Sequence, residues 1–169
     1  GHKKGAYTDA GEERPGLVTR AGGGILFLDE IGDLEIQSQS KLLRLIQNRE
    51  YTPLGSDISI KTDARILLAT NKDLKKLIKE KKFRIDLFYR LNTHSIHIPP
   101  LRERKDDIPL LIDHFINTIS EEYKLPIKDV SKKIINLLSE YQFPGNVREL
   151  EGVIKNAVFV SSPGPLSFE

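Results

Sequence analysis

The 169-residue sequence contains no cysteine and no methionine. Without cysteine there can be no disulfide framework, no thiolate zinc site and no cysteine nucleophile, a usage that suits a reducing compartment and leads us to expect a cytoplasmic protein. A natural open reading frame starts with Met, so a chain opening Gly1-His2-Lys3-Lys4 is expected to be a fragment or a processed chain, and that opening is no secretory signal. No apolar run approaches the roughly 18 to 20 residues that a bilayer-spanning helix needs, so no membrane partner is expected. Charge of one sign is scarce as well: 26 Lys plus Arg against 24 Asp plus Glu leaves a formal +2, which excludes a histone-like polycation. Internal repeats and low-complexity tracts are absent. With 38% apolar residues, the chain can bury one compact core with an appendage.

Apolar patterning then divides the sequence. Ile25-Leu26-Phe27-Leu28-Asp29, after three glycines, reads as a fully buried parallel strand. Gln37 to Asn48 places Leu42, Leu43, Leu45 and Ile46 at helical spacing. Ile58-Ser59-Ile60 alternates as a half-buried strand, and Arg65 to Thr70 is a second buried run ending at Asn71. Asp73 to Lys82 is a lysine-rich helix, Phe83 to Leu91 a short one, and His94 to Ile98 alternates polar and apolar up to Pro99-Pro100. Strands alternating with helices predict an α/β domain with a parallel sheet. The double proline is the natural boundary, since neither residue can donate to a ladder. Beyond it, Asp106 to Tyr123, Ser131 to Tyr141 and a helix capped by Asn146 with Glu149 three residues on predict three amphipathic helices. The expected organisation is a partial α/β core over 1–99 and a small helical lid over 100–169.

Several groups could carry chemistry. A strand delivering Asp29 and Glu30 to the C-terminal edge of a parallel sheet sits where α/β ligands bind, and phosphoryl transfer needs one carboxylate near Mg²⁺ and one to orient water. The plain alternative is a buried strand that ends in an acidic turn. Asn71 could hydrogen-bond a γ-phosphate or the attacking water, donating and accepting at once, although Asn is also a common turn former. Arg84 and Arg90, six apart, diverge by about 120° on a helix. Either could stabilise a transferring phosphoryl group from a neighbouring subunit; the alternative is surface salt bridging to Asp86 or Glu80. Arg148 stands in the first turn of a helix, where the dipole disfavours a cation unless an anion meets it. Gly5-Ala6-Tyr7-Thr8-Asp9-Ala10-Gly11 reads as a loop tip able to bind, or as an ordinary surface turn. His94 and His97 would point to opposite faces and make no metal pair.

Taken in order, these segments resemble the central AAA+ ATPase domain of the bacterial sigma-54-dependent transcriptional activators, the enhancer-binding proteins related to the nitrogen regulator. GGGILFLDEIGDL is similar to that family's Walker B segment, ILLATN to its sensor I, FRIDLFYRLN to its arginine-finger helix, PPLRERKDDIPLL to its lid entry and FPGNVREL to its sensor II. GHKKGAYTDAG is similar to its GAFTGA loop. The resemblance implies an ATPase that works as a hexameric or heptameric ring and remodels sigma-54 RNA polymerase. Asp29 would coordinate Mg²⁺, Glu30 polarise water, Asn71 sense the γ-phosphate, Arg84 and Arg90 act in trans and Arg148 in cis on ATP. Gly5, Ala6, Tyr7, Thr8, Asp9 and Ala10 would engage sigma-54, and DNA would be bound through segments absent from this chain. There are three departures from the pattern. No GxxxxGK[ST] phosphate-binding segment occurs, so the chain alone is expected to be inactive, with ATP and Mg²⁺ held only where that loop is present. Asp9 and Ile85 stand where the family has Gly and Glu. The competing expectation is a non-catalytic AAA+ scaffold regulator with altered sigma-54 coupling.

Overall fold

The computed structural model describes residues 15–126 and 129–160. The chain divides into two compact units, one running to Ser95 and the other beginning at Ile96. In the first, a short helix α1 (Leu17–Arg20) leads into strand β1 (Ile25–Leu28), a 3-10 turn (Ile31–Asp33) and helix α2 (Ile36–Asn48). Strands β2 (Glu50–Tyr51), β3 (Ile60–Lys61) and β4 (Arg65–Leu68) follow, then helices α3 (Leu74–Lys79) and α4 (Ile85–Leu91). β1 and β4 pair in parallel with Ile25 opposite Arg65 and Leu28 opposite Leu68. A parallel pair needs a crossover, and α2 with the β2–β3 hairpin supplies it.

Period-2 and period-3.6 patterning meet in one core. Leu26 on β1, Leu42 and Leu45 on α2, Leu87 on α4, with Ile31 and Phe83, are buried together, each contributing on the order of 1.5–3 kcal/mol. The expected full burial of β1 is not found. Its residues alternate, with Ile25 and Phe27 about 60% exposed beside an exposed Leu67 on β4, because among the described residues helices cover one face of the pair. The Ile58 to Ile60 expectation also shifts: the strand is Ile60–Lys61, antiparallel to β2 and exposed on both residues. The His94 to Ile98 alternation forms no element, since no described strand offers it a ladder.

The second unit is helical: a 3-10 turn (Leu101–Glu103), α5 (Asp107–Tyr123), α6 (Lys132–Glu140) and α7 (Asn146–Val160). Ile108, Ile112, Ile116 and Ile119 keep one face of α5 against Leu150, Ile154, Ala157 and Val158 of α7, with Leu101, Leu138 and Phe143 closing the cluster. Ser131 caps α6, its Oγ accepting from the Ile134 N–H at 3.4 Å. Among the described residues, no helix is long and apolar enough to cross a membrane.

Candidate functional site at the end of the parallel strands

Parallel pairing fixes the first group of candidates. The ladder runs past the strand ends, the Ala69 N–H donating to the Leu28 carbonyl at 2.9 Å and the Ile31 N–H to the Ala69 carbonyl at 3.1 Å. Asp29-Glu30 and Thr70-Asn71 are thereby brought side by side at the C-terminal end of the sheet, where α/β folds bind ligands. The chain reverses at Glu30, whose backbone is left-handed at φ 55° and whose N–H donates to Asp29 Oδ1 at 2.8 Å. A left-handed conformation at a non-glycine residue costs of order 1 kcal/mol or more. The approach behind it is close, because a Cβ on Gly32 would lie 2.7 Å from Thr70 Oγ1 and 3.0 Å from Lys72 Cβ. Thr70 Oγ1 accepts from the Lys72 N–H at 3.1 Å, and Lys72 Nζ pairs with Asp33. Asp29, Glu30 and Asn71 are exposed, and neither the Glu30 carboxylate nor the Asn71 amide has a partner among the described residues.

No group of three or more His, Asp or Glu able to hold a metal occurs among the described residues. A Mg²⁺ ion does not require one, since it is usually held by one or two carboxylates together with waters and substrate phosphates. The exposed Asp29 carboxylate at the sheet edge fits that donor set.

The two candidate finger arginines are held differently. Arg84 precedes α4 and is tied down by its own chain: Nε and Nη2 donate to Asp86 at 3.0 and 2.6 Å, and Nη1 donates to Ser40 Oγ at 3.1 Å. These hydrogen bonds raise the Arg84 guanidinium further above its ordinary value and hold the Asp86 carboxyl below the usual aspartate range. Arg84 thus makes the ion pair to Asp86 that the salt-bridging alternative expected. Arg90, in the last turn of α4, is exposed, and its guanidinium has no partner among the described residues.

A residue that patterning overlooked positions the first of these. Gln39 on α2 is fully buried. Its Nε2 donates to the Leu34 and Lys82 carbonyls at 2.7 and 2.9 Å, while its Oε1 accepts from the Arg84 N–H at 2.9 Å. One amide thus ties the start of α2 to the turn that presents Arg84. The available signal was its spacing: Gln39 stands three, four and seven residues before Leu42, Leu43 and Ile46, which places it on the apolar face of α2.

In the helical unit, Arg148 is exposed in the first turn of α7 and has no partner among the described residues. The capping box expected there is rearranged. Asn146 has φ 53°, its N–H donates to the Phe143 carbonyl, and its Oδ1 accepts from the Leu101 N–H at 2.8 Å instead of capping its own helix. Glu149 Oε2 accepts from the Gly145 N–H at 2.7 Å. The candidate loop Gly5, Ala6, Tyr7, Thr8, Asp9 and Ala10 lies outside the described residues.

The family model for the sigma-54 interaction domain matches residues 1–97, and that for the AAA+ ATPase lid domain matches residues 102–169. The regulatory protein AtoC of Escherichia coli is 48% identical over 168 residues, 99% of this chain and 36% of that protein. The DNA-binding transcriptional regulator NtrC of Azospirillum brasilense is 49% identical over 155 residues, 92% of this chain and 32% of that protein. The chain thus spans about a third of the length of the curated relatives it matches. Among solved structures, NtrX from Brucella abortus in complex with ATP superimposes with a TM-score of 0.83 at 31% identity, over 88% of this chain and 34% of that one.

Proposed function

The chain belongs to the sigma-54 interaction domain family, and from that premise we propose that it is part of the ATPase module of a sigma-54-dependent transcriptional activator, its first unit the α/β core and its second the lid. The observation that carries this reading is the placement of Asp29-Glu30 beside Asn71 at the ends of two parallel strands. Asp29 would hold Mg²⁺, which when bound neutralises charge on the phosphates. Glu30, whose carboxylate has no partner among the described residues, orients and polarises the attacking water. Asn71 donates to the γ-phosphate or accepts from that water. Arg90 reaches a neighbouring subunit's nucleotide, which implies a ring, and Arg148 serves from the lid. Loop residues 5–10 engage sigma-54, so that nucleotide state is passed to the polymerase. The 169 residues contain no GxxxxGK[ST] segment, and turnover is assigned to the chain where such a phosphate-binding loop is joined to it.

Glu30→Gln is the test, made in protein that carries that loop. ATP hydrolysis is expected to fall at least a hundredfold, with nucleotide affinity within a few-fold of the original, because the amide keeps the shape and loses the charge that polarises water. Unchanged hydrolysis rejects the assignment. Loss of binding together with turnover would instead make Glu30 a binding group.

A further inference from the structure

Charge along this chain is unevenly placed. Between Lys72 and Lys82 there are six lysines against two acids, a surplus of four in eleven residues, whereas the whole chain carries only +2; everything else is net acidic. The fold turns that surplus outward. Leu74, Leu77 and Ile78 of α3 pack against the α/β core, so Lys75, Lys76 and Lys79, spaced three and four apart, share the exposed side. Asp73 is committed to the helix start, its Oδ1 accepting from the Lys75 and Lys76 N–H groups. Lys72 is paired with Asp33, and Lys82 with Glu80 at 2.9 Å. Lys75, Lys76, Lys79 and Lys81 have no ion-pair partner among the described residues.

Lys81 adds an independent observation. It lies two residues past α3 with φ 58°, a left-handed conformation that glycine adopts without strain. A lysine stands there against the backbone's preference, exposed and two residues beyond Lys79.

We propose that the Lys75, Lys76, Lys79 and Lys81 side of α3 binds the sugar-phosphate backbone of duplex DNA without regard to sequence. Ammonium groups are point charges suited to phosphates, and this side presents no arginine fork, amide or aromatic that would read or stack on a base. Its apolar residues face the core, leaving nothing to enter the acyl boundary of a bilayer. The inference takes from the proposed function only that the protein works at DNA. Its test needs no nucleotide, so its failure leaves the ATPase reading standing, and failure of the Glu30 test leaves this one standing.

The full 169-residue chain is titrated with a fluorescein-labelled 30-base-pair duplex of arbitrary sequence between 50 and 200 mM NaCl. Four phosphate contacts predict a slope of log K against log salt of about −3.6. Lys75→Gln/Lys76→Gln/Lys79→Gln is expected to bring it to about −1 and to weaken binding at least tenfold at 50 mM. Removing the same charge elsewhere, by Lys105→Gln/Lys132→Gln/Lys133→Gln, is expected to leave the slope within half a unit. Lys81→Gly separates charge from folding: the thermal midpoint rises while the slope loses about one unit. No binding by the original chain at 50 mM overturns the proposal, as does an equal loss in both triple variants. Vesicles of phosphatidylglycerol and phosphatidylcholine that displace the duplex at equal charge, or self-association lost with the same lysines, overturn it in favour of a lipid or a second copy.

Discussion

Replacing Gln39 by methionine keeps the side-chain length and removes every hydrogen bond it makes. Three backbone groups then lose their partner: the carbonyls of Leu34 and Lys82 and the N–H of Arg84. Each bond contributes about 1 kcal/mol net, and a buried group left without a partner costs about 1–3 kcal/mol. Part of this is recovered because methionine is apolar in a fully buried position and the carbonyls lie near the surface. The working figure is about 3 kcal/mol for the α/β unit. With a urea m-value of roughly 2 kcal/mol/M for a small domain, the midpoint falls by about 1.5 M. The assay is urea unfolding followed by fluorescence of a dye placed on the first unit and, separately, on the second. Only the first transition is expected to move, since Gln39 bonds only within its own unit. Gln39→Glu is the companion: its carboxylate still accepts from the Arg84 N–H but faces two carbonyls it cannot bond, so it is expected to lose at least as much as methionine at neutral pH and to recover part of it on acidification. A methionine variant within 1 kcal/mol of the original, or an equal shift in both transitions, refutes the view that this amide holds α2 to the α4 turn.

Ser120→Ala is expected to stabilise the helical unit by about 1 kcal/mol in the same assay, because the Ser120 hydroxyl is buried in α5 without a hydrogen-bond partner among the described residues; destabilisation counts against it. Glu30→Gly relieves the left-handed backbone and is expected to raise the thermal midpoint of the α/β unit by a few degrees, equivalent to about 1 kcal/mol, while abolishing turnover; a lower midpoint denies the strain at this position. The Arg84–Asp86 pair predicts a pH dependence. Since Asp86 is depressed in the folded state, its contribution is present above the ordinary aspartate value near 4 and fades as pH falls through the lower folded one. Unfolding measured from pH 5 to pH 2 is expected to be less steep in Asp86→Asn, and an identical acid limb in the two proteins removes the pair from the account.

Elements with one strong period were legible in the sequence. β1, β4, α2, α5 and α6 lie within a residue or two of their expected bounds, the helices because their apolar residues repeat at the spacing the backbone imposes and the strands because each is a short apolar run with polar or glycine residues at its ends. Faces were less legible. A run such as Ile25 to Leu28 states that a strand is apolar, whereas which of its residues are covered depends on what packs over it, and here Ile25 and Phe27 stay exposed. Polar residues with tertiary partners were illegible for the opposite reason. The spacing of Gln39 from Leu42, Leu43 and Ile46 puts it on the buried face of α2 but does not say what it bonds, since the groups it satisfies lie as far as 45 residues away. Asn146 and Glu149 have capping spacing, yet Phe143 and Asn146 are both left-handed, and the resulting turn hands the asparagine to Leu101 and the glutamate to Gly145. The carboxylates and Asn71 came out adjacent because their positions follow from strand pairing alone.

The same contrast separates the two arginines that sequence spacing treats as equivalent. Arg84 is held by its backbone through Gln39 and by its guanidinium through Asp86 and Ser40. To meet a phosphoryl group it would give up a bidentate carboxylate partner, so any gain in a transition state is offset by the loss of that pair. Arg90 has no partner to give up among the described residues. Its guanidinium is exposed at the end of a helix anchored by the fully buried Leu87, so its stem is fixed while its charge stays free for an anion from outside the chain. On the proposed reading, Arg90 supplies the charge in trans and Arg84 sets the angle of the helix that presents it, a division of labour that follows from which donors are already engaged.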